Sequence, residues 1–176
     1  MPDIPAGIRV IFEGHKIDLA LVPVPLADGA TAEREVVLHR GAVALLVEPD
    51  PDHLILVRNE RYAVGRTLLE VPAGTIDPGE SPQQTAAREV EEETGHRAGR
   101  VEPLRSWWVS PGVLSERMHL FRCTDLTPTA TAHQPDEKLV PVVVTWDEAL
   151  RMAADGRIDD AKTLLALWIG SRSRGG

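Results

Sequence analysis

The chain has 176 residues, of which 43% are hydrophobic and 26% charged, with a formal net charge of −8; that is enough material for one domain with a real core. The acidity argues against a nucleic-acid backbone as the main partner, because such sites are basic, yet bound cations and a few arginines can still set the local field for an anionic substrate. Cys123 is the single cysteine, so no intramolecular disulfide is possible; with no signal-peptide pattern at the N-terminus and no apolar run near the roughly 18 residues that span a bilayer, a soluble cytoplasmic protein without a membrane partner is expected. Taken in chain order, Ile8–Glu13 and Lys16–Val24 flank Gly14-His15 and predict a two-strand ribbon, to which Glu35–His39 adds a further strand. Ala42–Val47 and His53–Val57 are β-rich runs joined by Glu-Pro-Asp-Pro-Asp, a segment with strong turn chemistry. Thr67–Val71 reads as a short strand leading into the loop Pro72-Ala73-Gly74. A helix follows, with Ser81 as its cap, Pro82 at its first position and Gly95 as its stop. Gly99–Ser106 and Met118–Cys123 read as strands around a Ser110-Pro-Gly turn, and Leu139–Thr145 as another. Helices Asp147–Ala154 and Asp160–Ile169, separated at Asp155-Gly156, close the order. There is no internal repeat: residues 1–170 read as one domain and Ser171–Gly176 as a disordered tail.

The helix after Ser81 carries the most informative pattern. Arg88-Glu-Val-Glu-Glu-Glu-Thr-Gly95 places four glutamates in five positions beside one arginine. Glu89 and Glu93 are four apart and Glu92 is three from Glu89, so three carboxylates share one face. Each like-charged pair costs an isolated helix roughly 0.2–0.5 kcal/mol, which a divalent cation would reverse. Oxygen ligands suit Mg²⁺ or Mn²⁺ and not zinc, which prefers histidine or cysteine. Thr85, Ala86 and Val90 turn toward the core on this reading, Arg88 reaches Glu92, and Glu91 faces solvent. Gly74 and Gly79 allow a tight backbone path over the carboxylates. The bland alternative is a solvated acidic face, as most charge runs are.

Glycine, five residues, glutamate, seven residues, then Arg-Glu-aliphatic-x-Glu-Glu-x-Gly resembles the signature of the Nudix hydrolases, which cleave nucleoside diphosphates linked to another moiety. Gly74, Glu80, Arg88, Glu89, Val90, Glu92, Glu93 and Gly95 all fit, and only His96 stands where the family usually has an aliphatic residue. The resemblance implies an α/β/α sandwich around a mixed β-sheet, which the element order suits, here with an N-terminal antiparallel strand ribbon. Outside the box, Val57-Arg58-Asn-Glu-Arg61-Tyr-Ala-Val-Gly65, Leu69-Glu70-Val-Pro-Ala-Gly74, Pro111 sixteen residues beyond Gly95, Ser110–Glu116 and Gly156–Thr163 are similar to the ADP-ribose pyrophosphatase branch. Asn59-Glu60 depart from it, standing where many members have Gln-Tyr.

The resemblance implies roles for single residues. Glu89, Glu93 and the Ala73 carbonyl would be the principal metal ligands, joined by Glu92 when further ions enter with substrate, and Mg²⁺ or Mn²⁺ would be the cofactor. Arg61 would meet a phosphate or the terminal ribose, Glu70 and Glu116 would line the pocket, and Arg58 is a further substrate candidate. The general base in this branch often comes from a mobile acidic loop, and Gln134-Pro-Asp136-Glu137-Lys138 is the suitable segment: Glu137 is favoured, Asp136 stands close behind, and Glu92 is the fallback. An ordinary charged turn remains the alternative for that segment. The expected reaction is hydrolysis of ADP-ribose to AMP and ribose 5-phosphate, with GDP-mannose or another nucleotide sugar as the alternative substrate and a non-catalytic nucleotide-sugar sensor as the alternative class. Trp107 and Trp108 could border a base pocket, since adenine stacks on aromatic faces, or serve packing. His39, His53, His96, His119 and His133 show no metal spacing. Ile8, Val10, Ile11, Phe12, Ile17, Leu19, Leu21 and Val22 make the ribbon apolar enough to need a partner; the resemblance supplies a homodimer whose N-terminal strands exchange and help build the site.

Overall fold

A computed structural model describes residues 7–129 and 139–173. The described elements run β1 (Arg9–Glu13), β2 (Asp18–Pro25), β3 (Thr31–Leu38), β4 (Ala42–Asp50), β5 (His53–Arg61), β6 (Arg66–Glu70), β7 (Ala73–Thr75), α1 (Pro82–Thr94), β8 (His96–Trp108), β9 (Arg117–Pro128), β10 (Leu139–Thr145), α2 (Trp146–Ala154) and α3 (Ala161–Ser173). The ribbon is a three-stranded antiparallel sheet in the order β1-β2-β3. The larger sheet has seven strands, ordered β10-β5-β4-β9-β8 with β6 on β5 and β7 on β4; it is mixed, because β4 and β9 are parallel while the other pairs are antiparallel.

Alternation along β4 divides the core into two layers. Val43, Leu45 and Val47 face Ala86 and Val90 of α1 together with Phe121 and Cys123. Ala44 and Leu46 face the other way, into a cluster with Leu54, Leu56, Trp146, Ala149, Met152 and Leu167 that seats α2 and α3. This is the expected α/β/α arrangement. Gly170 lets α3 lie close to the sheet, since a Cβ there would stand 2.6 Å from Leu46 Cδ1 and from the Trp146 ring.

Strand β4 changes partner along its length, and that change positions the site. Val47 and Asp50 pair with β5, whereas Ala42–Ala44 pair with β7. Beyond the split β5 continues with β6, so a cleft opens between the β5–β6 arm and β7. Helix α1 is set by a capping box: the Ser81 hydroxyl accepts the Gln84 N–H while the Gln84 side chain accepts the Ser81 N–H, and Gly95 ends the helix at φ 68°.

Three details differ from the sequence reading. Gly74 lies in strand β7, paired with Val43, and not in a loop. β8 starts at His96, directly after the helix stop, and its register with β9 is kept past Gly99 by Asp125, whose positive φ of 57° sits opposite that glycine. The segment expected as a tail is helical to Ser173: the Ser171 and Ser173 hydroxyls donate to the Trp168 and Gly170 carbonyls at 2.9 Å each, and Arg122 of β9 donates to the Ser173 hydroxyl. Serines that would read as polar tail residues bond back onto the last turn. Among the described residues no helix is long and apolar enough to cross a membrane.

Candidate functional site

The acidic face of α1 is organised by Arg88. Its Nη1 donates to Glu89 Oε1 at 2.8 Å and to Glu92 Oε2 at 2.9 Å, while Nε and Nη2 fork onto the two oxygens of Glu80 at 3.1 Å each. Asp77 stands 3.6 Å away. Partial burial opposes the guanidinium charge, but the hydrogen bonds from Glu80 and Glu92 and the field of Glu89 outweigh it and raise the arginine pKa further above its ordinary value. Glu80 is held below the usual carboxylate range, first by the Arg88 hydrogen bonds and then by the Thr85 hydroxyl, which donates to it at 2.8 Å. Glu91 points elsewhere, to Arg97 at 3.2 Å.

Glu89 and Glu93 are both buried. The Ala73 N–H donates to Glu93 Oε2 at 3.1 Å. In an extended strand the N–H and C=O of one residue leave on the same edge, so the Ala73 carbonyl also projects toward α1; the carbonyl of Pro72 goes the opposite way, accepting the Leu45 N–H. Gly74 packs directly on Glu89: a Cβ would lie 2.7 Å from Glu89 Cγ and closer still to its carboxylate. The glycine thus leaves the cradle in which a charged side chain can lie beneath the strand. Carboxylates with one outward carbonyl form a hard oxygen donor set, which fits Mg²⁺ or Mn²⁺ in chemistry. Among the described residues no three His, Cys, Asp or Glu side chains already stand together as a metal-holding group.

Against β7 lies a cavity of about 510 Å³ whose lining includes Arg61, Ala73, Trp107, Trp108, Glu116 and Lys162. Its floor is a buried ion network. Glu70 is 1% exposed; Arg61 donates to it in a fork, Nε to Oε1 at 2.8 Å and Nη2 to Oε2 at 2.6 Å, and the Lys162 ammonium donates to Oε2 as well. The Glu70 hydrogen bond raises the Arg61 pKa despite the opposing burial. Asp160 holds Lys162 at 3.0 Å and accepts the N–H and hydroxyl of Thr163, whose oxygen in turn takes the Val71 N–H. Thus the start of α3 is pinned to the end of β6. A larger hollow of about 610 Å³, lined by Glu48, Arg122 and Asp125, lies at the opposite end of β4 and holds none of these groups.

The structure therefore ties Glu93 to Ala73 and Glu89 and Glu92 to Arg88, and it places Arg61 and Glu116 in the lining of the cavity that Ala73 and Gly74 also border. Glu70 reaches the cavity only through the cations it holds. Arg58 is exposed and absent from the cavity lining; at three residues from Arg61 it emerges on the other side of β5. Glu137 and Asp136 lie outside the described residues. Trp107 and Trp108 do border the cavity, and Arg117 stacks on Trp108 at 5.1 Å. Glu116 is 3.9 Å from His39, whose Nδ1 accepts the Gly41 N–H. Lys162 and Asp160 were not singled out from the sequence, although the run Gly156–Thr163 that contains them was noted; nothing in its spacing says that a lysine on α3 meets a glutamate on β6.

Comparison with known proteins bears on the family and the fold. The profile described as "NUDIX domain" matches residues 37–167. The chain is 38% identical over 159 residues to the ADP-ribose pyrophosphatase of Bacillus subtilis, covering 89% of this chain and 86% of that protein. It is 32% identical over 169 residues to the GDP-mannose pyrophosphatase of Yersinia enterocolitica, covering 89% and 86%. The crystal structure of an ADP compounds hydrolase superposes with a TM-score of 0.84 over 97% of this chain and 93% of that one, at 24% identity, a likeness of fold.

Proposed function

The chain belongs to the Nudix family, and from that membership and the site geometry we propose that it hydrolyses the diphosphate bond of a nucleoside diphosphate sugar, with ADP-ribose, cleaved to AMP and ribose 5-phosphate, as its substrate. The observation that carries the reading is the juxtaposition across one short strand of two buried carboxylates, Glu89 and Glu93, with a cavity presenting Arg61 and two tryptophans. The GDP-mannose pyrophosphatase relative supports a second reading, in which the same cavity takes GDP-mannose or another nucleotide sugar.

Mg²⁺, or Mn²⁺ in its place, is the proposed cofactor, held by Glu89, Glu93, Glu92 and the Ala73 carbonyl. Such an ion withdraws charge from a diphosphate and lowers the pKa of a bound water. The residues of the chain do the rest. Glu93, fixed by the Ala73 N–H, and Glu89, fixed under Gly74, set the ligand positions. Arg61 carries its guanidinium at the cavity wall, oriented by Glu70, where it orients phosphate oxygens or the terminal ribose. Trp107 or Trp108 offers a face to the base. The proton of the attacking water goes to a carboxylate, for which Glu137 is proposed, with Asp136 beside it in sequence and Glu92 as the alternative. Glu116 is the proposed acidic contact to the sugar side. The apolar ribbon, with Phe12 59% and Ile11 47% exposed, supports a homodimer through the N-terminal strands, and the lone buried Cys123 suits a cytoplasmic setting.

The test is release of AMP from ADP-ribose in the presence of Mg²⁺, measured beside a panel of other nucleotide sugars. Activity that Glu93→Gln abolishes while nucleotide binding is retained supports the proposal. A wild-type protein inert on the whole panel overturns it.

A further inference from the structure

A second, smaller cavity of about 160 Å³ adjoins the first, sharing Arg61, Ala73, Gly74 and Thr75 with it, and it contains Glu89 in its wall. Two residues of its remaining wall come from a part of the chain that the family profile does not reach. His15 and Lys16, in the turn between β1 and β2, lie before residue 37, where the match begins, and Arg40 lies close to its start. Lys16, Arg40, Arg61 and Arg88 confront only Asp77 and Glu89 in this lining, a local excess of positive charge in a chain of net charge −8.

The cations of the cavity differ in what they already hold. Arg88 is engaged by Glu80, Glu89 and Glu92, and Arg61 by Glu70. Lys16 and Arg40 are exposed and have no ion-pair partner among the described residues. Their backbones are nonetheless held. The Gly14 N–H donates to Asp18 Oδ1 at 3.1 Å, and a Cβ on Gly14 would collide with the Ile17 carbonyl and stand 2.9 Å from the Phe12 ring, so the turn that carries Lys16 is tight enough to require glycine. Arg40 is followed by Gly41 at φ 99°, whose N–H bonds the His39 ring and whose carbonyl accepts the Ile76 N–H just past β7. Two unpaired cations on fixed backbones, facing a catalytic carboxylate across a small cavity, are arranged for an anion that arrives with the substrate.

We propose that Lys16, from the ribbon ahead of the matched residues, and Arg40, near their start, form a clamp for the diphosphate of the substrate, completing a site whose other cations are occupied by carboxylates. The proposal rests on the diphosphate reading above and adds the residues that recognise the charge of that group. The strand ribbon then serves the site directly, and its turn is a binding element.

The experiment compares wild type with Lys16→Gln/Arg40→Gln and with Lys16→Arg in the full chain. The double variant is expected to raise KM for the nucleotide sugar at least tenfold with kcat changed less than threefold, to weaken ADP binding measured by calorimetry to a similar degree, and to leave the thermal midpoint unchanged. Lys16→Arg keeps KM within threefold of wild type. An unaltered KM and an unaltered ADP affinity in the double variant overturn the clamp while leaving the hydrolase reading intact. An inert wild type overturns the hydrolase reading, and the ADP titration then still decides whether these two side chains bind a diphosphate.

Discussion

Replacing Gly74 with alanine tests whether the carboxylate cradle under β7 is the functional centre. The added methyl would stand 2.7 Å from Glu89 Cγ and nearer still to its carboxylate, against a comfortable separation of about 3.5 Å. The shortfall has to be made up by Glu89, because β7 is fixed: Gly74 pairs with Val43, which is completely buried, and Ala73 is tied to Glu93. The carboxylate, nearer to the methyl than Cγ is, therefore retreats by at least about 1 Å or turns out of the cradle, losing its 2.8 Å bond from Arg88. A displacement of that size at a reacting centre costs on the order of 10²-fold in rate, equivalent to about 2.7 kcal/mol of barrier. The steric cost to the fold is about 1–3 kcal/mol, which for a chain of this size lowers the thermal midpoint by roughly 2–4 °C per kcal/mol. We therefore expect Gly74→Ala to remain folded, to bind ADP through the Arg61 cavity, and to lose about two orders of magnitude in kcat for nucleotide-sugar hydrolysis at saturating Mg²⁺. A variant whose kcat stays within about threefold of wild type, with the same dependence on Mg²⁺ concentration, would refute the assignment of Glu89 as a positioned ligand.

Glu70→Gln keeps the shape of the buried side chain and removes its charge, leaving Arg61 without its paired carboxylate and Lys162 with Asp160 alone, their side chains 40% and 14% exposed. Removing one partner of a buried pair costs about 3–5 kcal/mol and partial access to water lowers that, so a fall of several degrees in thermal midpoint and a raised KM are expected; both unchanged would show that the network neither stabilises nor positions. Glu80 has a folded-state pKa depressed below its ordinary 4.5 by Arg88 and Thr85, so its contribution to stability is complete above that value and is lost as pH falls through the lowered one. Glu80→Gln should accordingly flatten the acid limb of the thermal-midpoint profile, and an identical acid limb in wild type and variant would contradict the pairing. Cys123 has its thiol pKa pushed up to about 12 by burial, with Glu48 adding to the effect; native protein at pH 8 should therefore leave a thiol reagent unconsumed until it is unfolded, and rapid labelling of the native state would show the opposite.

What could be read from the residues alone followed the range over which the physics acts. Ser81, Pro82 and Gly95 announced α1 because capping is local, and the i, i+3 and i, i+4 rule placed Glu89, Glu92 and Glu93 on one face without knowledge of the fold. The alternation that splits Val43, Leu45 and Val47 from Ala44 and Leu46 was equally local, although a run buried on both faces conceals it from hydropathy. Long-range pairings were invisible. Nothing near Glu70 in sequence says that it is buried, since the lysine that shares it comes from α3 and the arginine from the far end of a β-hairpin. The turn at Gly14-His15-Lys16 read only as a hairpin connection, and its approach to the wall containing Glu89 depends on how the ribbon lies on the sheet, through bonds such as Val37 N–H to the Val113 carbonyl. Arg58 and Arg61 both stand just past the β-rich run His53–Val57; strand parity separates them, but which parity faces the cleft is set by where β4 exchanges β5 for β7.

Arg88 also changes what the glutamate cluster means. Like charge on one helix face calls for a cation, and here the guanidinium already bridges Glu80, Glu89 and Glu92. Those carboxylates outweigh the partial burial that disfavours its charge. Repulsion among the acids is therefore largely compensated within the chain, and charge density alone is a poor argument for a metal. The stronger argument is positional. Glu89 is buried beneath a residue that has to be glycine, and Glu93 is fixed by a strand N–H whose companion carbonyl leaves on the same side. Neither arrangement is needed to neutralise a surface helix, and both restrict where oxygen atoms can stand. Restricting oxygen positions is what a hard-cation site requires, so the glycine over Glu89 discriminates a ligand set from a solvated acidic face better than the number of glutamates does.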